Sequence, residues 1–191
     1  MKLKLLFVIF IIMGCENEKN QINVNVQIDG FKKGKIYLQK IKDSVLVNLD
    51  SIFVDSKNPI TLKSKIESPE IFYIDLDIAG KDNKIAFFAE KGDIKIATNL
   101  KRFNTDFEIS GSSNDSVYRN YLRVIKKFNN NKLDLIKVSF DNSIDKDSVA
   151  IIQTKIKSLN KRQYMYSLNF AVTNGKYHVA PYIALSEFYN S

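Results

Sequence analysis

The chain has one cysteine, Cys15, one histidine, three prolines and no tryptophan in 191 residues. Each scarcity excludes something. A lone sulfur forms no internal disulfide, so packing alone must hold the fold. Nor can it form a Cys-x-x-Cys couple, because dithiol chemistry needs one thiol to attack and a second to resolve. The longest apolar run, residues 5–13, has nine residues, against the ~20 that a membrane-spanning helix requires. Pro59, Pro69 and Pro181 are scattered, and no Pro/Gly/Ser-rich linker divides the chain. What is plentiful is core material: 45% of the residues are hydrophobic and 12% aromatic, a composition that folds rather than stays disordered.

The nine-residue apolar run follows Lys2 and Lys4 and ends at Gly14 and Cys15. A positive start, a short apolar core and a small-residue exit are the layout of an export signal. Ile12-Met13-Gly14-Cys15 resembles a bacterial lipobox. That resemblance implies diacylglyceryl transfer to the Cys15 sulfur, cleavage before Cys15 and acylation of the new amino terminus. Two or three chains make a stable anchor where one binds marginally, at about 0.8 kcal/mol per buried methylene. Cys15 is thus expected as a lipidation site, not as a nucleophile or metal ligand. Residues 1–14 are expected to be a lipoprotein signal peptide, and residues 15–21 a polar tether. The expected location is the bacterial cell envelope, on the periplasmic or surface face of the outer membrane.

Charge is placed unevenly. Residues 15–111 hold fifteen Lys/Arg and fifteen Asp/Glu, whereas residues 112–173 hold eleven against five. Such a skew marks either an anionic partner or a solvated basic helix surface.

Two organisations follow the tether. Residues 22–110 read in period two, as in Ile22, Val24, Val26 and Ile28, which alternate with polar neighbours. Further β-prone runs cover 35–39, 44–55, 60–66, 72–78, 84–90, 93–97 and 105–110. Between them lie turn residues, and Lys91-Gly92 reads as a tight hairpin. The spacing predicts an antiparallel sandwich or open barrel. From residue 111 the period changes. Ser112 or Ser113 can cap a helix, and Asp115 suits its positive end. Tyr118, Tyr121, Ile125 and Phe128 form one helical stripe; Val149, Ile152, Ile156 and Leu159 form a second, extended by Tyr166 and Phe170. Asn129-Asn130-Asn131 is expected to weaken the first helix, and Asn174-Gly175 to stop the second. A short helix over 179–188 carries Pro181 in its first turn. The fold class is α+β: an antiparallel β domain over 22–110 and, over 111–191, a helical hairpin with a short C-terminal helix packed on it.

Groups able to do chemistry are few. His178 lacks a partner in sequence. Asp75 and Asp77 share one face of a strand and can bind a cation or divide acid-base work, or simply form the wet face. Asp141, Asp145 and Asp147 lack the glycine and closing glutamate of a calcium loop, and capping explains them better. Gly111-Ser112-Ser113-Asn114 has the pattern of neither a phosphate loop nor a serine nucleophile elbow and reads as a turn feeding a cap. Tyr164 and Tyr166 near Lys161 and Arg162 suit nucleic acid by type, but an exported chain is not expected to meet that partner. An anionic lipid or glycan surface fits better. No cofactor or metal is implied.

Four stretches carry a family resemblance: VNVQIDGFKKGKIYL (24–38), ESPEIFYIDL (67–76), FAEKGDIKIA (88–97) and ISGSSNDSVYRNY (109–121). Together they resemble the domain of unknown function 4369 family over about residues 22–188. That family is borne on lipoproteins, mainly in Bacteroidetes, often N-terminal to a thioredoxin-like domain of peroxiredoxin or oxidoreductase type. The resemblance implies a β-rich domain followed by helices, with no known chemistry of its own. The Cys-x-x-Cys pair of the thioredoxin partner has no counterpart here. The expectation is therefore a non-enzymatic, membrane-anchored lipoprotein with a binding or scaffolding domain and a protein or anionic surface as partner. The alternative is a truncated or accessory N-terminal half of a thioredoxin-like oxidoreductase lipoprotein. A hydrolase using Asp75 and Asp77 is a third.

Overall fold

A computed structural model describes residues 20–55, 60–78, 83–141 and 145–190. The strands are β1 (Gln21–Asp29), β2 (Lys33–Lys42), β3 (Val45–Asp55), β4 (Ile60–Lys65), β5 (Glu70–Leu76), β6 (Lys84–Ala89), β7 (Gly92–Asn99) and β8 (Phe107–Ser110). The helices are α1 (Ser113–Ser139), α2 (Lys146–Thr173) and α3 (Val179–Asn190). The strands form two four-stranded sheets, ordered β4-β1-β7-β8 and β3-β2-β5-β6. They are not closed into a barrel, so of the two expected β architectures the sandwich is the one observed.

The alternating sequence pattern becomes alternating burial. Ile22, Val24, Val26 and Ile28 of β1 point into one core with Leu62, Ile94 and Ile96 of the same sheet. Ile36, Leu38, Phe72, Ile74, Ile85 and Phe87 face them from the other sheet. Each such side chain contributes about 1.5–3 kcal/mol when fully buried. Phe72 and Phe87 are cross-strand partners and meet edge to face, 6.3 Å between centroids.

Two expectations about connection need correction. The sheets are not wholly antiparallel, because β1 and β7 pair in parallel from Ile22↔Gly92 to Asp29↔Asn99. Lys91-Gly92 is also no hairpin: β6 and β7 lie in different sheets, and Gly92, at φ +112°, turns the chain across the sandwich. The Gly30 and Gly34 region does the same between β1 and β2. The two-residue hairpin instead joins β2 to β3 at Asp43-Ser44. Both residues have positive φ, 50° and 65°, as the twist-matched type I′ turn demands.

Strand β6 departs from simple alternation, since Phe87 and Phe88 are both buried. Phe88 opens a second core on the outer face of its sheet, with Tyr121, Ala171, Val179, Ala180 and Ile183. The molecule therefore has three layers: sheet, sheet and helices. The two helical stripes meet as expected. Tyr121 stacks on Tyr166 at 6.1 Å and touches Phe170 at 5.3 Å, and Phe128 lies 6.1 Å from Tyr166. Contrary to expectation, α1 runs unbroken through Asn129, Asn130 and Asn131. Asparagine costs only about 0.7 kcal/mol per helical position, and contacts with α2 here, such as Lys132 Nζ to Asn160 Oδ1 at 3.3 Å, support the helix.

Helix α1 starts where Ser113 meets Glu90 and runs back along β6, Asp115 beside Phe88 and Arg119 beside Ala86. Its 27 residues make a rod about 40 Å long, whereas the six residues of β6 cover about 20 Å. The distal parts of α1 and α2 thus project past the sandwich as a two-helix arm. From Leu122 to Ile151 no described residue is buried.

Gly111 joins β8 to α1 with φ +96°, and a Cβ there would lie 2.1 Å from the Asp93 carbonyl oxygen. Gly111→Ala is expected to destabilise the fold by at least the ~1–3 kcal/mol of a strained backbone, read as a lower urea midpoint. An unchanged midpoint would refute the tight β7–β8 junction.

Candidate functional site

The groups singled out by residue type are dispersed. Cys15, with its lipobox and most of the tether, lies outside the described residues. Asp75 pairs with its cross-strand neighbour Lys84 at 3.5 Å, while Asp77, past the end of β5, accepts from the Tyr37 hydroxyl at 3.5 Å. The two carboxylates thus serve different partners. His178 is exposed in the turn before α3 and lines a cavity of about 470 Å³ with Asn20, Glu67, Ser68, Glu90 and Lys91. Asp145 caps α2, accepting from the Ser148 N–H at 2.9 Å and its hydroxyl at 2.8 Å. Those hydrogen bonds hold its pKa below the ordinary aspartate value. Asp147 lies in the first turn of α2, where a negative charge suits the helix dipole. Among the described residues no group of three or more His, Cys, Asp or Glu could hold a metal ion.

The structure gathers a different polar cluster. Strand β6 is the last of its sheet, so one row of its backbone groups lacks a neighbouring strand. Side chains from the start of α1 take that place. Asp115, 1% exposed, accepts from the Phe88 N–H through Oδ1 at 2.9 Å. The Ser112 hydroxyl donates to the Phe88 carbonyl at 2.7 Å and also caps α1 by accepting from the Asp115 N–H at 2.9 Å. Arg119, one turn on, donates to both Asp115 oxygens at 3.1 Å and to the Ala86 carbonyl. Its guanidinium lies 5.0 Å from the Phe107 ring of β8. The beginning of α1 therefore closes the open side between β6 and β8.

A second ring of contacts surrounds the first. Glu90 accepts from the Ser113 N–H at 2.7 Å and from the Asn114 N–H and side-chain amide. A carboxylate at a helix N-terminus is favoured by the free N–H groups and the dipole there. Burial pushes the Glu90 carboxyl up, but the hydrogen bonds from Asn114 and Ser113 outweigh it and hold the pKa below its ordinary value. Asn114 then accepts from the Val179 N–H at 3.2 Å, fixing the start of α3. Farther along, the Tyr121 hydroxyl lies 2.9 Å from both Ser167 and Glu187, tying α1 to α2 and α3. Burial raises the Tyr118 and Tyr121 pKa values. Sequence reasoning offered Ser112 or Ser113 as the cap, of which Ser112 is the one observed, but missed Glu90 and Arg119. The signal was the presence of both Phe-Ala-Glu-Lys-Gly and Gly-Ser-Ser-Asn-Asp in one family pattern.

Residues 21–118 match the family described as domain of unknown function (DUF4369). The chain belongs to this family. No curated protein matches it. The matched DUF4369 segment starts with β1 and ends at Tyr118, just past Asp115, so it contains the sandwich and most of the edge closure. It is shorter than the stretch to about residue 188 traced from motifs, and most of the arm lies outside it.

Two outcomes test the closure. Asp115→Ala leaves the Phe88 N–H unpaired and Arg119 without its carboxylate. The expected loss is about 3–5 kcal/mol of stability in urea titration, with Asp115→Asn losing less because it still accepts from Phe88. Equal losses would mean the hydrogen bond to Phe88 is immaterial. Because the native Glu90 pKa is lowered, its contribution is present above the ordinary value of 4.5 and is lost as pH falls through the lower native value. The stability gap between the parent and Glu90→Gln should therefore shrink on acidification below that point; a gap constant with pH would contradict it.

Proposed function

We propose that this DUF4369 chain is an exported lipoprotein, anchored in the bacterial envelope through lipid on Cys15, whose folded body acts as a non-catalytic binding and scaffolding module. The observation that carries the scaffolding part is where the polar groups of the family pattern go. Ser112, Asn114, Asp115 and Glu90 are all engaged in joining β6, α1 and α3. Used in that way, they give the module rigidity rather than a reactive surface.

The lipobox supports the anchoring part, and given that anchor the position of β1 sets the orientation. Only five residues separate Cys15 from Gln21, a span of at most ~20 Å. The end of the sandwich holding Gln21, Lys65 and Gly92 would therefore face the bilayer. Helix α1 starts at that end, beside Glu90, and travels away from it. In this arrangement the arm is presented outward from the membrane, on the periplasmic or surface side, towards a protein or anionic partner. A basic arm so directed does not rest on its own bilayer.

The decisive measurement is the mass of the detergent-extracted N-terminus. The expected species begins at Cys15 and carries a diacylglyceryl group and an amide-linked acyl chain, and Cys15→Ala leaves the membrane fraction. A free titratable thiol on a protein still resident in the membrane would overturn the anchor.

A further inference from the structure

The arm has a groove along one side. Two hollows of about 490 and 500 Å³ adjoin through Ser158 and Arg162, which line both. The floor is apolar: Phe128, Leu135 and Val138 from α1, and Leu159 and Met165 from α2. Val138 is 48% exposed and Met165 55%, although both would be buried in a bundle of three or more helices. The rim is basic. Lys155, Lys161 and Arg162 line the hollows and make no ion pair among the described residues. The carboxylate in the lining, Asp134, already lies 3.5 Å from Lys137.

We propose that this groove docks an amphipathic helix of a partner protein, with an apolar stripe and acidic flanks. This rests on reading the chain as a binding module and names the chemistry of its partner. Phe128 to Val138 spans about three helical turns, or roughly 15 Å. Two antiparallel helices bury one seam and leave the groove beside it open; a third helix laid there completes a bundle. The unpaired cations select acidic flanks. They also disfavour a second copy, whose arm would bring the same positive charge into the same groove.

The probe is a helix-forming peptide of about 21 residues, long enough to line the groove, with leucines on one face and glutamates beside them. Two counterparts carry lysine for glutamate, or serine for leucine. Binding is followed by fluorescence anisotropy to the full lipidated chain in zwitterionic nanodiscs. The expected result is saturable binding of the glutamate peptide alone, weakened about tenfold or more by the double change Lys155→Glu, Arg162→Glu. That variant, altered only at exposed positions, should in turn accept the lysine peptide. The docking proposal is overturned by equal binding of all three peptides, or by indifference to the double change. Dimerisation abolished by the double change would assign the groove to a second copy, and retention on phosphatidylglycerol vesicles without peptide binding would assign it to a lipid surface; either overturns the proposal. Membrane anchoring, read separately from the mass at Cys15, stands or falls independently.

Discussion

The structure depends on the way the open edge of β6 is closed. An edge strand presents unpaired N–H and C=O groups, and proteins commonly cover or blunt them. Here the Phe88 N–H and C=O, which a further strand would have satisfied, are met by Asp115 and Ser112. Each hydrogen bond gives a net gain of only about 0.5–1.5 kcal/mol, but an unsatisfied buried group costs about 1–3. The closure is therefore worth more for what it prevents than for what it adds. It also sets direction. Once Asp115 sits on Phe88 and Arg119 on Ala86, the axis of α1 lies along β6. Asn114 passes the constraint to α3 through Val179.

The elements were legible because each has one dominant period. Strand β1 alternates without fault, and its apolar positions are the ones buried. The stripes of α1 and α2 pointed to a helix pair, and in the structure Tyr121 of one stripe meets Tyr166 and Phe170 of the other. Local chemistry also gave the caps at Ser112 and Asp145, because capping is a matter between near neighbours. The pairing of strands was less legible. A Lys-Gly turn fits a hairpin or a crossing between sheets equally well at the level of residue type. Only the positions of β6 and β7 in separate sheets decide between them. The unbroken α1 shows the same limit, since three asparagines lower local helix propensity but tertiary contacts set the outcome.

The polar cluster was the hardest part to read, for a physical reason. Residue type draws attention to carboxylate pairs and lone histidines, and so to Asp75, Asp77 and His178. What matters in Glu90, Asn114, Asp115 and Arg119 is partnership across long separations: Glu90 to Asn114, Phe88 to Asp115, Asn114 to Val179. No periodicity records a bond between a strand's backbone and a side chain 27 positions later. Asp115 was legible as a favourable charge at a helix start. Its second role, as a substitute for a missing strand, needed the sheet order.

This division places stability and surface charge in different parts of the molecule. The sandwich segment is balanced in charge, and the positive surplus of residues 112–173 belongs to the helices. Helix α1 joins the two. It begins inside the DUF4369 segment, which ends at Tyr118, and continues to Ser139 without interruption. A continuous helix resists bending, so the angle at which the arm leaves the sandwich is fixed by the contacts of its N-terminal part, from Ser112 at the β6 edge to Tyr121 in the second core. Arg119 shows the coupling most directly: its charge is neutralised by Asp115 and its donors occupy the β6 edge. Most of the basic residues beyond it are exposed, and they are carried away from the closed edge by the same helix whose start makes the closure.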